Sequence, residues 1–182
     1  MGNKALIIID VQYGQIEGQP RAGRADAVLA NLNRAIALAR RQHMPVIFIQ
    51  HDSGPGSDLA RDSEAWRLHP ALARQDGDAV VHKRFSDSFQ HTTLTELLRG
   101  DDIDELWLAG SATEFCVDST LRSAMSQEYS VTLIADAHTC KPRPQLNAEQ
   151  VIDHFNWVWS NLDETPKPLR VRGIAELESG AA

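Results

Sequence analysis

Three residues of types used in acyl-transfer chemistry stand at positions 10, 83 and 116, and each follows an apolar segment. Asp10 offers a carboxylate, Lys83 an ammonium and Cys116 a thiol. A thiol attacks carbonyl carbon as the thiolate, a form that a nearby ammonium or a helix N-terminus stabilises. A carboxylate can accept the thiol proton and later give it to a leaving amine. The three types together suit nucleophilic cleavage of a carbonyl–nitrogen bond.

Each of these residues also has an ordinary structural interpretation. A lone cysteine near a helix start is commonly a small buried residue. Asp10 could cap the loop after its strand, and Lys83 could be a solvated charge. Their shared location favours the functional interpretation, because ligands bind beyond the carboxyl ends of parallel strands.

Short segments rich in Ile, Val and Leu precede these residues, as expected of strands buried on both faces. Four are clear, at 5–11, 45–50, 103–110 and 131–137, and two are weaker, at 79–83 and in "PLRVRGIAEL" near the C-terminus. Segments with helical spacing lie between them, at 24–41, 93–99, 113–127 and 148–160. Strands alternating with helices predict a doubly wound, three-layer α/β domain with a mostly parallel sheet, covering residues 1–182.

Sequence signals also indicate where helices begin and where a long loop lies. Thr93 with Glu96, and Asn147 with Gln150, have the spacing of a capping box. Thr113 and Glu114 suit the unpaired N–H groups at the start of the helix that carries Cys116. The irregular stretch 51–78 is long for a plain connection, which indicates a functional loop.

The composition excludes several classes of protein. The chain has 182 residues, a net charge of -7 and a pI near 5.4, which argues against a nucleic-acid or anionic-membrane surface. The N-terminal apolar run is too short for a membrane span and lacks the pattern of a signal peptide. Two cysteines are too few for a disulfide scaffold. We therefore expect a cytoplasmic protein with free thiols.

Further side chains near the strand ends are candidates for a substrate pocket. The candidates are Gln12, Tyr13, His51, Phe85 and Trp157. Trp66, His69 and Phe89 are candidates for a pocket wall, a subunit interface or plain core packing. The apolar C-terminal half, with three tryptophans, favours a homo-oligomer (dimer or larger).

The segments "LIIIDVQ" and "GSATEFCVDSTLRSAMSQEYSVTLIADA", with Lys83 after an apolar strand between them, resemble the isochorismatase-like cysteine hydrolases. This superfamily includes nicotinamidases, N-carbamoylsarcosine amidase and other amidases that act on small amides. The resemblance covers nearly the whole chain. It implies a parallel six-stranded sheet between layers of helices.

The resemblance also implies roles for particular residues. Asp10 would be the general base and acid, Lys83 the positioning cation and Cys116 the nucleophile. A cis peptide bond before the cysteine helix would fall at Ser111–Ala112. The backbone N–H groups of Ala112 and Cys116 would form the oxyanion hole that stabilises a tetrahedral intermediate.

Two departures from family patterns bear on the substrate. True isochorismatases lack the cysteine, so Cys116 points away from that activity. Nicotinamidases hold a metal with an Asp-x-His pair, but Ile49 stands two residues before His51 here. His51, Asp52 and His69 could still make a degenerate site, although we expect no metal and no cofactor.

Three hypotheses follow. The leading one is a cysteine amidohydrolase that cleaves a small amide through a thioester. The second is a non-catalytic or redox-sensing relative in which Cys116 and Cys140 respond to oxidants, and a disulfide between them is a further alternative. The third is a metal-dependent member that uses His51. None of the three predicts a nucleic-acid or membrane partner.

Overall fold

Six parallel strands form one sheet in the computed structural model, which describes residues 3–163 and 165–180. The strands are β1 (Asn3–Ile9), β2 (Val46–His51), β3 (Ala79–Lys83), β4 (Ile103–Ser111), β5 (Ser130–Thr139) and β6 (Leu169–Arg172). Their order across the sheet is β3–β2–β1–β4–β5–β6, and every neighbouring pair is parallel. The predicted doubly wound sheet is therefore confirmed.

Helices cover both faces of this sheet. They are α1 (Tyr13–Ile16), α2 (Ala25–Arg41), α3 (Leu94–Gly100), α4 (Asp118–Ser126), α5 (Ala148–Ser160) and α6 (Ile174–Ser179). Buried side chains of α2 and α6 share one hydrophobic core with the sheet, and those of α3, α4 and Trp159 of α5 share the other. The three-layer prediction is confirmed. No helix among the described residues is both long and apolar enough to cross a membrane.

The central strand β1 shows why its sequence is almost continuously apolar. Successive side chains of a strand point to opposite faces. Leu6 and Ile8 accordingly enter the core beneath α2, while Ala5, Ile7 and Ile9 enter the other core. All five are fully buried. A strand covered on both faces needs apolar residues at every position.

The strand order reverses between β1 and β4, and the two strands are close there. Gly110 near the end of β4 has φ +127, and a Cβ on it would lie 2.1 Å from the carbonyl oxygen of Ile9. Only glycine fits this approach. In open α/β sheets the crevice at such a reversal is the usual place for a ligand.

The predicted helix over 113–127 is divided in the structure. Thr113–Val117 form a π-helical turn, and α4 follows it. The box at Thr93 is also wrong: the residue has a non-extended backbone (φ -87, ψ 8), and its side chain makes no capping bond. The box at Asn147 and Gln150 is confirmed, with bonds of 2.8 and 2.9 Å.

The long segment between β2 and β3 is irregular, as predicted. It contacts the chain just after β1 at an isolated antiparallel bridge, where Gln12 pairs with Leu68. The C-terminal "PLRVRGIAEL" divides into β6 and the start of α6. The one-domain prediction for 1–182 extends to residues 1, 2, 164, 181 and 182, which lie outside the described ranges.

Candidate active site

Asp10 and Lys83 meet at the carboxyl edge of the sheet. Asp10 directly follows β1 with a left-handed backbone (φ +49), and its N–H donates to the carbonyl of Ile49 at 3.0 Å. Lys83 is the last residue of β3, and its Nζ lies 2.8 Å from Asp10 Oδ2. Both side chains are fully buried. The parallel strands thus bring together an acid and a cation that are far apart in sequence.

The Lys83 ammonium is held by backbone groups as well as by the carboxylate. It donates to the carbonyl oxygens of Phe85 at 3.1 Å and Ser86 at 2.8 Å. Burial alone would lower the pKa of Lys83, but the Asp10 carboxylate and the Cys116 sulfur outweigh burial and raise it. Lys83 is therefore positively charged, and these bonds hold its ammonium group in one position.

Cys116 lies in the π-helical turn and is almost fully buried. Ligand-type atoms of Asp10, His51 and Cys116 all lie within 4.8 Å of one another. Burial, followed by the charge of Asp10, raises the pKa of the Cys116 thiol to about 12, although Lys83 opposes this. In the free protein, burial and Asp10 therefore favour the protonated thiol, while Lys83 favours the thiolate.

The π-helical turn widens the backbone around Cys116. The carbonyl of Ala112 accepts from the N–H of Phe115 and from that of Val117, each at 3.1 Å. The bond to Val117 spans five residues, which is the π pattern. Neither bond uses the N–H of Cys116. The Ser111–Ala112 peptide bond is cis.

Thr113 and Glu114 do not cap the helix start, contrary to expectation. Thr113 is fully buried, and its Oγ1 lies 2.9 Å from His138 Nδ1. Glu114 forms an ion pair with Arg143, whose guanidinium lies 5.0 Å from the centre of the Phe115 ring. The contacts of both side chains come from distant segments, which the local sequence does not reveal.

Gln12 is a structural link rather than a pocket wall. It is fully buried, and its amide donates to the carbonyls of His51 and Trp66 at 2.9 and 2.7 Å. Its Oε1 accepts from the N–H of His51 at 2.9 Å. With all these bonds to backbone, Gln12 fixes the end of β2 and the segment after it next to β1.

The other predicted pocket residues have different positions. His51 is half-buried beside Cys116 and Asp10, and burial lowers its pKa. Tyr13 and Phe85 are exposed at 38% and 46%, and both belong to segments that directly follow the strands bearing the site. Trp157 is 65% exposed, on the side of α5 away from its buried residues. It is not brought together with the others.

The remaining aromatic candidates pack against neighbours. Phe89 is buried and stacks on Tyr129, with ring centres 5.9 Å apart. Trp66 stacks on His82 at 5.6 Å. Cys140 is buried beneath α5, and both cysteines are free thiols.

The candidate metal residues are not brought together as a group. His69 lies 3.4 Å from Glu17, and Asp52 accepts the N–H of Gly54. Within the described ranges, the one cluster with metal-ligating geometry is Asp10, His51 and Cys116. At that cluster the carboxylate already has the Lys83 ammonium as its counter-charge.

Two features of the site were not predicted from the sequence, namely the spacing role of Gly110 and the contact made by Asn156. Gly110 sets the distance between β4 and β1. Asn156 contacts His138 beneath the π-helical turn. A signal existed for Asn156, since it is a polar residue between the apolar positions Phe155 and Trp159 of α5.

A buried acid, a buried ammonium and a buried thiol thus lie together at the reversal of strand order in a doubly wound α/β protein. The family model described as the isochorismatase domain matches residues 4–160. The chain therefore belongs to the isochorismatase family.

Known relatives are similar over different lengths. The ureidoacrylate amidohydrolase RutB of Pseudomonas syringae pv. syringae (strain B728a) is 31% identical, over 90% of this chain and 82% of that protein. A streptothricin hydrolase of Streptomyces noursei is 33% identical over 74% of this chain and 54% of that protein. The chain spans about half the length of the streptothricin hydrolases that it matches.

A solved structure has the same fold. A cysteine hydrolase from Pseudomonas syringae pv. phaseolicola 1448A superposes with a TM-score of 0.85 at 25% identity, covering 96% of this chain and 90% of that one. The similarity therefore covers nearly the whole fold.

Proposed function

We propose that this protein is a cysteine hydrolase that cleaves an amide-type C–N bond of a small molecule. The observation that carries the proposal is the meeting of Asp10, Lys83 and Cys116 at the reversal of strand order. The names of two relatives, an amidohydrolase and a hydrolase, support it.

In the first step Asp10 is the general base. Because the pKa of Cys116 is about 12, the sulfur keeps its proton until it attacks. The carboxylate takes this proton as the S–C bond forms, and the carbonyl electrons move to oxygen. The N–H groups of Ala112 and Cys116 are proposed to bind that oxyanion.

In the next steps Asp10 returns the proton and then repeats its role. When the tetrahedral intermediate collapses, the C–N bond breaks and the protonated Asp10 gives its proton to the leaving nitrogen. The product is a thioester on Cys116. Asp10 then deprotonates water as it attacks the thioester, the C–S bond breaks, and the sulfur recovers a proton from Asp10. Lys83 stays charged throughout and holds the carboxylate in place.

The redox-sensing alternative has less support. Redox-sensing cysteines are typically accessible and have a low pKa. Cys116 and Cys140 are both buried, and burial raises the pKa of each to about 12. The metal-dependent alternative predicts that purified protein contains a stoichiometric metal and loses activity on chelation.

A small-amide panel with an intermediate trap tests the proposal. Purified protein is incubated with amides, lactams and ureido compounds, and released amine or ammonia is measured. Neutral hydroxylamine added to the active reactions should convert the thioester into a hydroxamate, and no hydroxamate should form when the enzyme is left out. Turnover by Cys116→Ser at the rate of the unchanged protein would overturn the proposal.

We also propose a homo-oligomer in the cytoplasm. Large apolar side chains at Phe115, Leu146 and Trp157 are exposed at 52%, 43% and 65% in the single chain, and a second copy could cover them. Two free thiols suit a reducing compartment. Light scattering coupled to size exclusion tests the oligomer, and a monomer at micromolar concentration would contradict it.

A further inference from the structure

A buried chain of polar side chains lies beneath the turn that carries Cys116. His138 of β5 is buried, with its Nδ1 2.9 Å from Thr113 Oγ1 and its Nε2 3.0 Å from Asn156 Oδ1. The Asn156 amide donates to the carbonyl of Ala135 at 3.0 Å. The chain thus links β5 and α5 to the first residue of the π-helical turn.

An irregularity in β5 directs His138 into this position. Pairing with β4 shifts from Leu108 opposite Leu133 to Gly110 opposite His138, so β5 has extra residues between these two pairs. Bulges of this kind re-aim a side chain. The Ala135 carbonyl that Asn156 binds belongs to the irregular part, so Asn156 holds both the bulge and the ring.

The direction of each hydrogen bond among these side chains follows from the Ala135 carbonyl, where the row ends. A carbonyl only accepts, so Asn156 must turn its NH₂ to Ala135 and its Oδ1 to His138. The Nε2 of His138 therefore carries a proton. Burial lowers the pKa of His138 to about 4, so the ring is neutral and its Nδ1 is an acceptor. The hydroxyl of Thr113 then donates to Nδ1.

We infer that His138, which Asn156 holds in place, positions the π-helical turn that carries Cys116. It does so through its hydrogen bond with the hydroxyl of Thr113. Thr113 directly follows Ala112 and stands three residues before Cys116, so its orientation sets both N–H donors and the thiol against Asp10. His138, Asn156 and Thr113 are positioning residues and touch no substrate. The inference rests on the proposed function for its kinetic readout only.

Substitution of Thr113 tests the inference. Thr113→Val has the same shape but no hydroxyl, while Thr113→Ser keeps the donor. We expect Thr113→Val to lower kcat at least about tenfold with KM little changed, because small misplacements at a reacting centre are costly. Thr113→Ser should restore most of kcat. Equal kcat in Thr113→Val and the unchanged protein would overturn the inference.

Two further measurements need no turnover. At about pH 7, nitrogen NMR of the unchanged protein should show a neutral His138 ring with its proton on Nε2. A proton on Nδ1 instead would overturn the inference. The iodoacetamide labelling rate of Cys116, read from its peptide mass, should change in Thr113→Val and return in Thr113→Ser. If no amide is hydrolysed, the proposed function fails, while these two measurements still decide the role of His138.

Discussion

Asp10 and Lys83 are paired at 2.8 Å in a place where neither side chain has any exposed surface. Removing one partner of a buried ion pair leaves an uncompensated charge, which typically costs about 3–5 kcal/mol. The pair therefore supports the fold as well as the proposed chemistry. Because the two charges act on the same sulfur with opposite sign, they can be separated by experiment.

We predict that Asp10→Asn and Lys83→Met shift the pKa of Cys116 in opposite directions. Burial is the largest cause of the raised value, and Asp10 adds to it while Lys83 opposes it. Asp10→Asn should therefore lower the pKa and speed iodoacetamide labelling near pH 8, although it abolishes hydrolysis. Lys83→Met should slow labelling. Labelling of Asp10→Asn no faster than that of the unchanged protein would contradict this account.

The two cysteines provide a matched pair for testing the nucleophile. Both are buried thiols whose pKa is about 12, but only Cys116 lies near Asp10. We expect Cys116→Ser to lower kcat more than about a thousandfold, because it removes the nucleophile. Cys140→Ala should retain activity. Thermal melting should show both variants folded. Similar losses in both would indicate a general packing effect instead.

We predict that Gly110→Ala strongly destabilises the protein, whereas Gly77→Ala costs about 1 kcal/mol. Both glycines have positive φ, +127 and +107, but a Cβ at Gly77 would meet nothing within 4 Å. The difference therefore measures the close approach of Gly110 to Ile9. Urea unfolding gives the two free energies. Equal losses would show that backbone conformation alone selects glycine at position 110.

Acid should weaken the fold through His138. Its pKa is 6.5 in an unfolded chain and about 4 when buried, so the unfolded state binds more protons between these values. Stability is then full above pH 6.5 and falls as the pH drops, by about 2 kcal/mol at pH 5 at about 1.4 kcal/mol per unit. His138→Gln should flatten this part of the curve. If the free energy of unfolding changes with pH equally in the unchanged protein and in His138→Gln, His138 does not contribute to the loss of stability in acid.

The strands could be predicted because burial on both faces demands apolar residues at every position. Leu6 to Ile9 show this, and Asp10 stands out as the first polar residue after them. The meeting of Asp10 with Lys83 followed from the parallel arrangement, since strand ends of one sheet share an edge.

The finer features depend on contacts between distant segments, which the sequence does not display. The protonation of Cys116 depends on how deeply the turn is buried and on Asp10, while its helix position alone favoured a thiolate. Thr113 looked like a helix cap because its partner, His138, comes from another strand. The bulge in β5 that aims His138 depends on the pairing of β5 with β4, which the sequence of β5 alone does not show.

The π-helical turn at Thr113–Val117 fixes the number of residues that the chain must have between β4 and α4. A π turn holds one more residue than an α turn closing the same gap, and each residue of an α-helix advances by about 100°. Loss of one residue here would rotate Cys116 away from Asp10 and leave a neighbour in its place. Among homologues, insertions and deletions should therefore fall in the irregular segment 52–78 and spare the nine residues from Gly110 to Asp118.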